Sequence, residues 1–213
     1  MEKKNVLILG AGGQIARHVV NFLENNENVS LTLFVRNAND LRGVNKPSVT
    51  IVEGDVLDHG ELNGAVKGQD IVYANLAGEM EKMAKQIVDS MDENGVKRLI
   101  FVASLGIYDE VPGAFGKWNN SMIGSALKTY RKAADVIEAS DLDYTLVRPA
   151  WLTDHNEMDY ETTQKGEPFK GTEVSRKSVA AYIADVIENP EKDVKASVGV
   201  DKPATDGSRP SFY

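Results

Sequence analysis

The sequence contains no cysteine, which removes disulfide frameworks, thiolate metal sites and cysteine nucleophiles together. It has no run approaching the roughly 18 consecutive apolar residues of a membrane-spanning helix. His18, His59 and His155 show no paired spacing of the kind that holds a metal ion. Cations are in the minority: 24 Lys and Arg stand against 32 Asp and Glu, a formal net charge of -8. That balance argues against a nucleic-acid partner, because phosphate binding needs clustered positive charge. Lysines precede the apolar run Val6–Leu9 as they would in a secretion signal, but the run is short against the roughly 7–15 residues such a signal needs. It reads as a first strand, and the cytoplasm is the expected location.

What is present is a regular alternation. With 213 residues, 42% hydrophobic and 26% charged, the chain is long enough to bury a substantial core as one domain over 1–213. Short apolar runs predict strands at Asn5–Leu9, Leu31–Val35, Val49–Val52, Ile71–Tyr73, Leu99–Val102 and Tyr144–Val147, with a weaker one at Ser197–Val200. Helical periodicity fills the gaps at Gln14–Glu24, Glu61–Val66, Glu79–Glu93, Ser125–Ala139 and Ser175–Glu188. This predicts an α/β fold: a Rossmann-type, doubly wound parallel sheet with helices on both faces. Residues 108–124 and 150–173 interrupt the pattern and are expected as irregular stretches beyond strand ends, the second as a small substrate-side lobe. The final "KPATDGSRPSFY" is expected as a polar tail.

The most informative stretch is "NVLILGAGGQIARHVVNFL". A chain turning sharply from strand to helix around a pyrophosphate needs backbone that can approach without a Cβ, and a helix N-terminus that offers unpaired N–H groups. Gly10, Gly12 and Gly13 supply the first; Gln14 and Ile15 open the helix that supplies the second. The spacing is Gly10-x-x-Gly13-x-x-Ala16, not G-x-G-x-x-G, which would require glycine at Ile15. The second strand ends in Arg36, where an acid would accept from a ribose hydroxyl and repel a 2′-phosphate. A guanidinium there predicts NADP(H), with Asn37 adding a hydrogen bond. In "VEGDVLD", Asp55 is placed either to accept from an adenine amino group, with Val56 beside the ring, or to cap the turn near Asp58. In "YANLAG", small Ala77 and Gly78 let the backbone lie close to the cofactor ribose.

Together, Gly10-x-x-Gly13-x-x-Ala16, Arg36, "GDVLD", "VASLG" and "ASDLDYTLVRPAWL" resemble the atypical short-chain dehydrogenase/reductases, in particular the single-domain NAD(P)H-binding group similar to NmrA-like proteins and flavin or biliverdin reductases of the B type. The resemblance covers about the whole chain. It implies a Rossmann-type fold binding NADP(H), in a group that mixes reductases, epimerase-like enzymes and cofactor-sensing proteins. It also implies a serine and a Tyr-x-x-x-Lys pair, the lysine lowering the tyrosine pKa one helical turn away. Ser104 matches the serine, with Ala103 before it counted among the cofactor contacts.

The pair itself is missing. Tyr130 stands where the pattern places the lysine, and Ala126 where it places the tyrosine; Lys128 and Lys132 do not share the face of Tyr130. Tyr108, four residues after Ser104, and Tyr130 are the remaining candidate hydroxyls. Pro149 ends its strand and turns the chain toward the nicotinamide side. Asp154 and His155, being adjacent, do not suit a triad with Ser104, and no G-x-S-x-G elbow is present. Hydride transfer to an easily reduced flat acceptor, such as a flavin or quinone, needs little protein-borne proton transfer, and Phe115, Trp118 and Trp151 suit an aromatic small molecule. The expected function is therefore an NADPH-dependent reductase. A cofactor-sensing regulator and a nucleotide-sugar epimerase are the alternatives; oligomeric state is left open.

Overall fold

The computed structural model describes residues 3–41, 44 and 46–213; Met1, Glu2, Arg42, Gly43 and Asn45, all within the single domain expected over 1–213, lie outside the described residues. Strands and helices alternate as β1 (Lys4–Leu9), α1 (Gln14–Leu23), β2 (Val29–Val35), β3 (Val49–Glu53), α2 (His59–Val66), β4 (Ile71–Ala74), α3 (Met80–Glu93), β5 (Arg98–Val102), α4 (Gly113–Glu138) and β6 (Asp143–Pro149). Then come β7 (Trp151–Thr153), β8 (Glu161–Gln164), β9 (Glu173–Ser175), α5 (Arg176–Glu188) and β10 (Ala196–Asp201). The main sheet has the order β3-β2-β1-β4-β5-β6-β10-β8, parallel throughout except for β8 at its edge. It is a Rossmann-type α/β fold.

Strands covered on both faces read as continuous apolar runs, and β1, β4 and β5 do: Val6–Leu9, Ile71–Ala74 and Leu99–Val102 are all buried. One face packs against α1, α5 and Phe115 at the start of α4, the other against α2, α3 and the rest of α4 from Leu127 on. On α1 the buried side chains Ile15, Ala16, Val19, Val20 and Leu23 form one stripe at helical spacing, so the helix lies down on that stripe. The chain leaves β1 toward β2 and β3 on one side and returns to β4 on the other. The sheet therefore has its switch point between β1 and β4, where loops diverge and leave a crevice. Among the described residues, no helix is long and apolar enough to cross a membrane.

Three expectations change. Residues 108–124 are not irregular throughout: α4 begins at Gly113 and runs into the helix expected from Ser125, with non-helical backbone only at Ile123 (φ -131°). Glycines and aromatics masked a buried stripe, Phe115 and Asn119 at i and i+4. Residues 150–173 supply β7, paired in parallel with β9, and the antiparallel edge strand β8. The final segment is also anchored, with Pro210 buried and Ser211 bonded to Glu173.

The strand expected only weakly at Ser197–Val200 lies between β6 and β8, and it ends in a buried acid. Asp201 is 2% exposed and its Oδ1 has no hydrogen-bond partner. Burial, with Glu161 and Asp206 nearby, pushes its carboxyl up to about 7. The folded chain then holds a proton that the unfolded chain has already released, so stability falls as pH rises from about 4 to about 7 and is flat above. Asp201→Asn is expected to match the parent near pH 4 and to melt on the order of 5 °C higher at pH 8. Calorimetric scans at both pH values check this; an equal gain at both would remove the carboxyl as its cause.

Candidate functional site

A cavity of about 280 Å³ lies at the carboxyl ends of β1 to β4, against the switch point. Of the residues expected around a dinucleotide, Gly10, Gly12, Gly13, Arg36, Asp55, Val56 and Ala77 line it, joined by Phe34, Asp40, Asn75 and Met83. Gly10 has φ +74°, and a Cβ there would overlap the carbonyl oxygen of Asn75; a Cβ on Gly13 would overlap the Asn75 side-chain amide. Two of the three glycines are therefore demanded by the loop after β4. Gly12 differs, because its Cβ would meet only Asp40, at 3.3 Å. Apart from that close contact its side of the turn lies open to the cavity, and no side chain caps α1 at Gly13, which leaves the helix N–H groups to an anion. Gly12→Ala is accordingly expected to cost less stability than Gly10→Ala, since only Asp40 must shift, but to bind NADPH and NADH about tenfold more weakly, whereas Gly10→Ala lowers the melting temperature further. Thermal scans and cofactor titrations of both variants separate the two roles.

Arg36 is exposed at the rim and makes no hydrogen bond or ion pair among the described residues. The segment that follows it is pinned from three sides. Arg17 donates to the Gly12 carbonyl from Nε and to the Asp40 carbonyl from its terminal nitrogen, each at 3.0 Å, so the glycine turn and residues 38–41 are held together. Glu53 accepts from the Ala38 N–H at 2.6 Å. Asn37 spends its side-chain oxygen on the Asn39 N–H at 3.0 Å, starting the 3₁₀ turn Ala38–Leu41 rather than facing the cavity. Arg36 thus springs from a fixed base with its charge uncommitted.

Asp55 caps the turn, its Oδ1 accepting from Leu57 N–H at 2.9 Å, and it also lines the cavity. Asp58 caps α2 by accepting from Glu61 N–H. Val56 is buried at the cavity wall. The other expected cofactor residues do not line the cavity. Gln14 is exposed on α1, and Ile15 points into the core below it. Gly78 is exposed with φ +122°. Ala103 donates to the Val147 carbonyl at 2.7 Å, and the Pro149 carbonyl accepts from Leu105 at 3.3 Å; the two residues tie the ends of β5 and β6 together.

Ser104 lies half-buried just past β5 and donates to the Leu105 carbonyl at 3.1 Å. No hydrogen bond joins it to either tyrosine. The Tyr108 phenol instead donates to Glu138 at 2.7 Å, and its ring is flanked by Lys165 at 4.3 Å, Arg131 at 5.0 Å and Arg148 at 5.4 Å. Glu110 holds the loop, accepting from the Gly106 and Tyr108 N–H groups and pairing with the buried Arg148. Tyr130 packs against the α2–α4 side of the core without a hydrogen bond. Burial pushes both phenols up, away from any role as a base near neutrality. Beyond the ends of β5 and β6, Trp118 and Trp151 pack 4.7 Å apart, with the Trp151 indole N–H on Asn119.

Asn75, Met83 and Arg17 were not read from the sequence as site residues. Asn75 sits inside the quoted "YANLAG" and was the visible signal, since a polar residue between small ones at a strand end is out of place in a packing role. Met83 carries no signal, being one apolar position of an amphipathic helix.

Residues 10–190 match the sequence profile of a family described as NAD(P)H-binding. A Rossmann-fold NAD(P)-binding family protein of Shigella flexneri is 49% identical over all of both chains and superposes with a TM-score of 0.87. A short-chain dehydrogenase/reductase of Veillonella parvula, solved in complex with NADP, is 31% identical over 98% of this chain and 99% of that one, with a TM-score of 0.91. The uncharacterized sugar epimerase YhfK of Bacillus subtilis is 26% identical over 207 residues, 90% of this chain and 91% of that protein.

Proposed function

Because the chain belongs to the NAD(P)H-binding family, an oxidoreductase-like group, we propose that it is a reductase that prefers NADPH to NADH and passes hydride to a small flat acceptor of the flavin or quinone kind. The observation that carries the cofactor preference is Arg36, an unpaired cation on a pinned loop at the rim of a glycine-walled cavity. The NADP complex of the Veillonella relative supports it. The residues fit a dinucleotide: Gly12 admits the pyrophosphate, the uncapped start of α1 faces it, and Arg36 offers a fork of donors to a 2′-phosphate.

When bound, NADPH supplies a hydride from its nicotinamide. The chain contributes position and dryness: residues 150–173, the substrate-side lobe in this reading, cover the acceptor, and the Ser104 hydroxyl turns from the Leu105 carbonyl to an acceptor oxygen. With Tyr108 committed to Glu138 and Tyr130 without a lysine on its face, neither candidate tyrosine relays a proton in this reading. The acceptor must therefore be one whose reduced form takes its proton from water, which favours flavins and quinones over ketones.

The same missing relay favours a second reading, a protein that senses NADP(H) without turning it over. Oxidation of NADPH at 340 nm, followed with FMN and with menadione, separates the two. The reductase requires protein-dependent oxidation with at least one acceptor, slowed about tenfold in Ser104→Ala. Tight NADPH binding with no oxidation would leave the sensor.

A further inference from the structure

The last segment of the described chain brings aromatic side chains against Trp118 and Trp151. Tyr213 stands edge-on to Trp118 at 5.0 Å and to Trp151 at 5.3 Å, and Phe212 lies against Tyr213 at 5.3 Å. The segment is fastened along its length. Thr172 donates to the Thr205 carbonyl from both its backbone N–H (3.2 Å) and its hydroxyl (2.7 Å), and Gly171 bridges to Asp206. Ser211 then donates from N–H at 2.6 Å and from its hydroxyl at 2.9 Å to the two oxygens of Glu173, a carboxylate only 6% exposed. Pro210 is buried, and the Tyr213 N–H closes a turn on its carbonyl at 3.2 Å.

A buried carboxylate desolvated to grip one serine is a costly anchor for a solvated tail. Yet the rings it delivers are left half open: Phe212 and Tyr213 are each 49% exposed. Held backbone with open aromatic faces is the arrangement of a contact surface for a flat ligand, because little side-chain entropy remains to be lost on stacking. Its location is set by the ends of β5 and β6. The Leu105 N–H on the Pro149 carbonyl joins the loop that carries Ser104 to the strand end that leads directly into Trp151. The rings therefore gather on Trp151, two residues past the strand end that is tied to Ser104's loop.

We propose that Phe212 and Tyr213, carried by the Glu173–Ser211 clamp, complete with Trp118 and Trp151 the wall against which the acceptor stacks, and that this wall selects flat conjugated acceptors. The proposal rests on the reductase reading for its location but not for its test, which has a binding arm independent of turnover. FMN is titrated into NADP⁺-saturated protein while tryptophan fluorescence is followed, and KM for FMN is measured in parallel. Tyr213→Ala is expected to raise both the dissociation constant and KM for FMN by about tenfold, and Tyr213→Phe to restore them. NADPH affinity and the melting temperature of Tyr213→Ala serve as controls for the fold.

If the parent protein oxidises no NADPH, the reductase reading fails, and FMN quenching still decides the wall: loss in Tyr213→Ala supports it. FMN binding unchanged in Tyr213→Ala, or no FMN binding to the parent, overturns it. Tighter FMN binding in Tyr213→Ala overturns it too, since the ring would then be a plug. Glu173→Gln, which weakens the clamp while removing none of the rings, is expected to give a smaller rise of the same sign.

Discussion

Arg36→Ala is expected to weaken NADPH binding by about 10- to 100-fold and to leave NADH binding within about twofold, so that the variant no longer distinguishes the two. The magnitude follows from losing one or two charge-assisted hydrogen bonds to a phosphate, about 1.5–3 kcal/mol. Among the described residues the guanidinium makes no hydrogen bond or ion pair, and Arg36 is exposed. The fold should not notice the change, which makes the result easy to interpret. Arg36→Glu carries the argument further, because a carboxylate repels a 2′-phosphate and accepts from a ribose hydroxyl. That variant should bind NADH more tightly than NADPH. Fluorescence titration of both cofactors with each variant is the measurement. A parallel loss of NADH and NADPH affinity would mean that Arg36 supports the loop rather than reading the phosphate.

The largest stability effect belongs to Glu110→Ala. Arg148 and Glu110 form an ion pair with side chains 0% and 5% exposed. Arg148 also bonds the Ser197 hydroxyl at 3.0 Å and carbonyl at 3.1 Å, so its charge is fixed in place. Removing the carboxylate strands a guanidinium without its counter-charge and leaves the Gly106 and Tyr108 N–H groups unpaired. Breaking one side of such a pair costs about 3–5 kcal/mol, a fall in melting temperature on the order of 10 °C. Glu110→Gln keeps an acceptor for one N–H and should lose less. Because Glu110 sets the course of the loop following Ser104, both variants should also lower turnover by more than their stability loss alone explains. Urea denaturation with matched activity assays tests this; an alanine variant within about 1 kcal/mol of the parent would show the pair to be dispensable.

Much of the fold was legible because parallel strands covered on both faces have no choice but to be apolar. Asn5–Leu9 was read for β1, observed as Lys4–Leu9, and Ile71–Tyr73 for β4, observed as Ile71–Ala74. The edge strand β8, "ETTQ", was invisible for the opposite reason: it is mostly exposed and pairs on one side only, so no apolar pattern marks it. The first half of α4 was hidden by its glycines, which signal loops more often than helices. At the site, the glycine turn and Arg36 could be read because they are local. The clamp of Ser211 on Glu173, the Tyr108 phenol on Glu138 and the reach of Asn75 to Gly10 could not, since each depends on residues brought together only by the sheet order. Tyr108 in particular looked available from its distance to Ser104 along the chain, while the Glu110–Arg148 pair, between residues 38 positions apart, decides where it goes.

The central claim is that this chain binds NADPH and delivers its hydride to a flat acceptor without a protein proton relay. The direct measurement is an anaerobic single turnover: protein loaded with one equivalent of NADPH is mixed with excess FMN, and absorbance at 340 nm and at the flavin band is followed together. The account predicts loss of one equivalent of NADPH matched by one of oxidised flavin, with a rate that changes little between pH 6 and 9 because no side chain supplies the proton. NADPH that stays reduced while bound would contradict it.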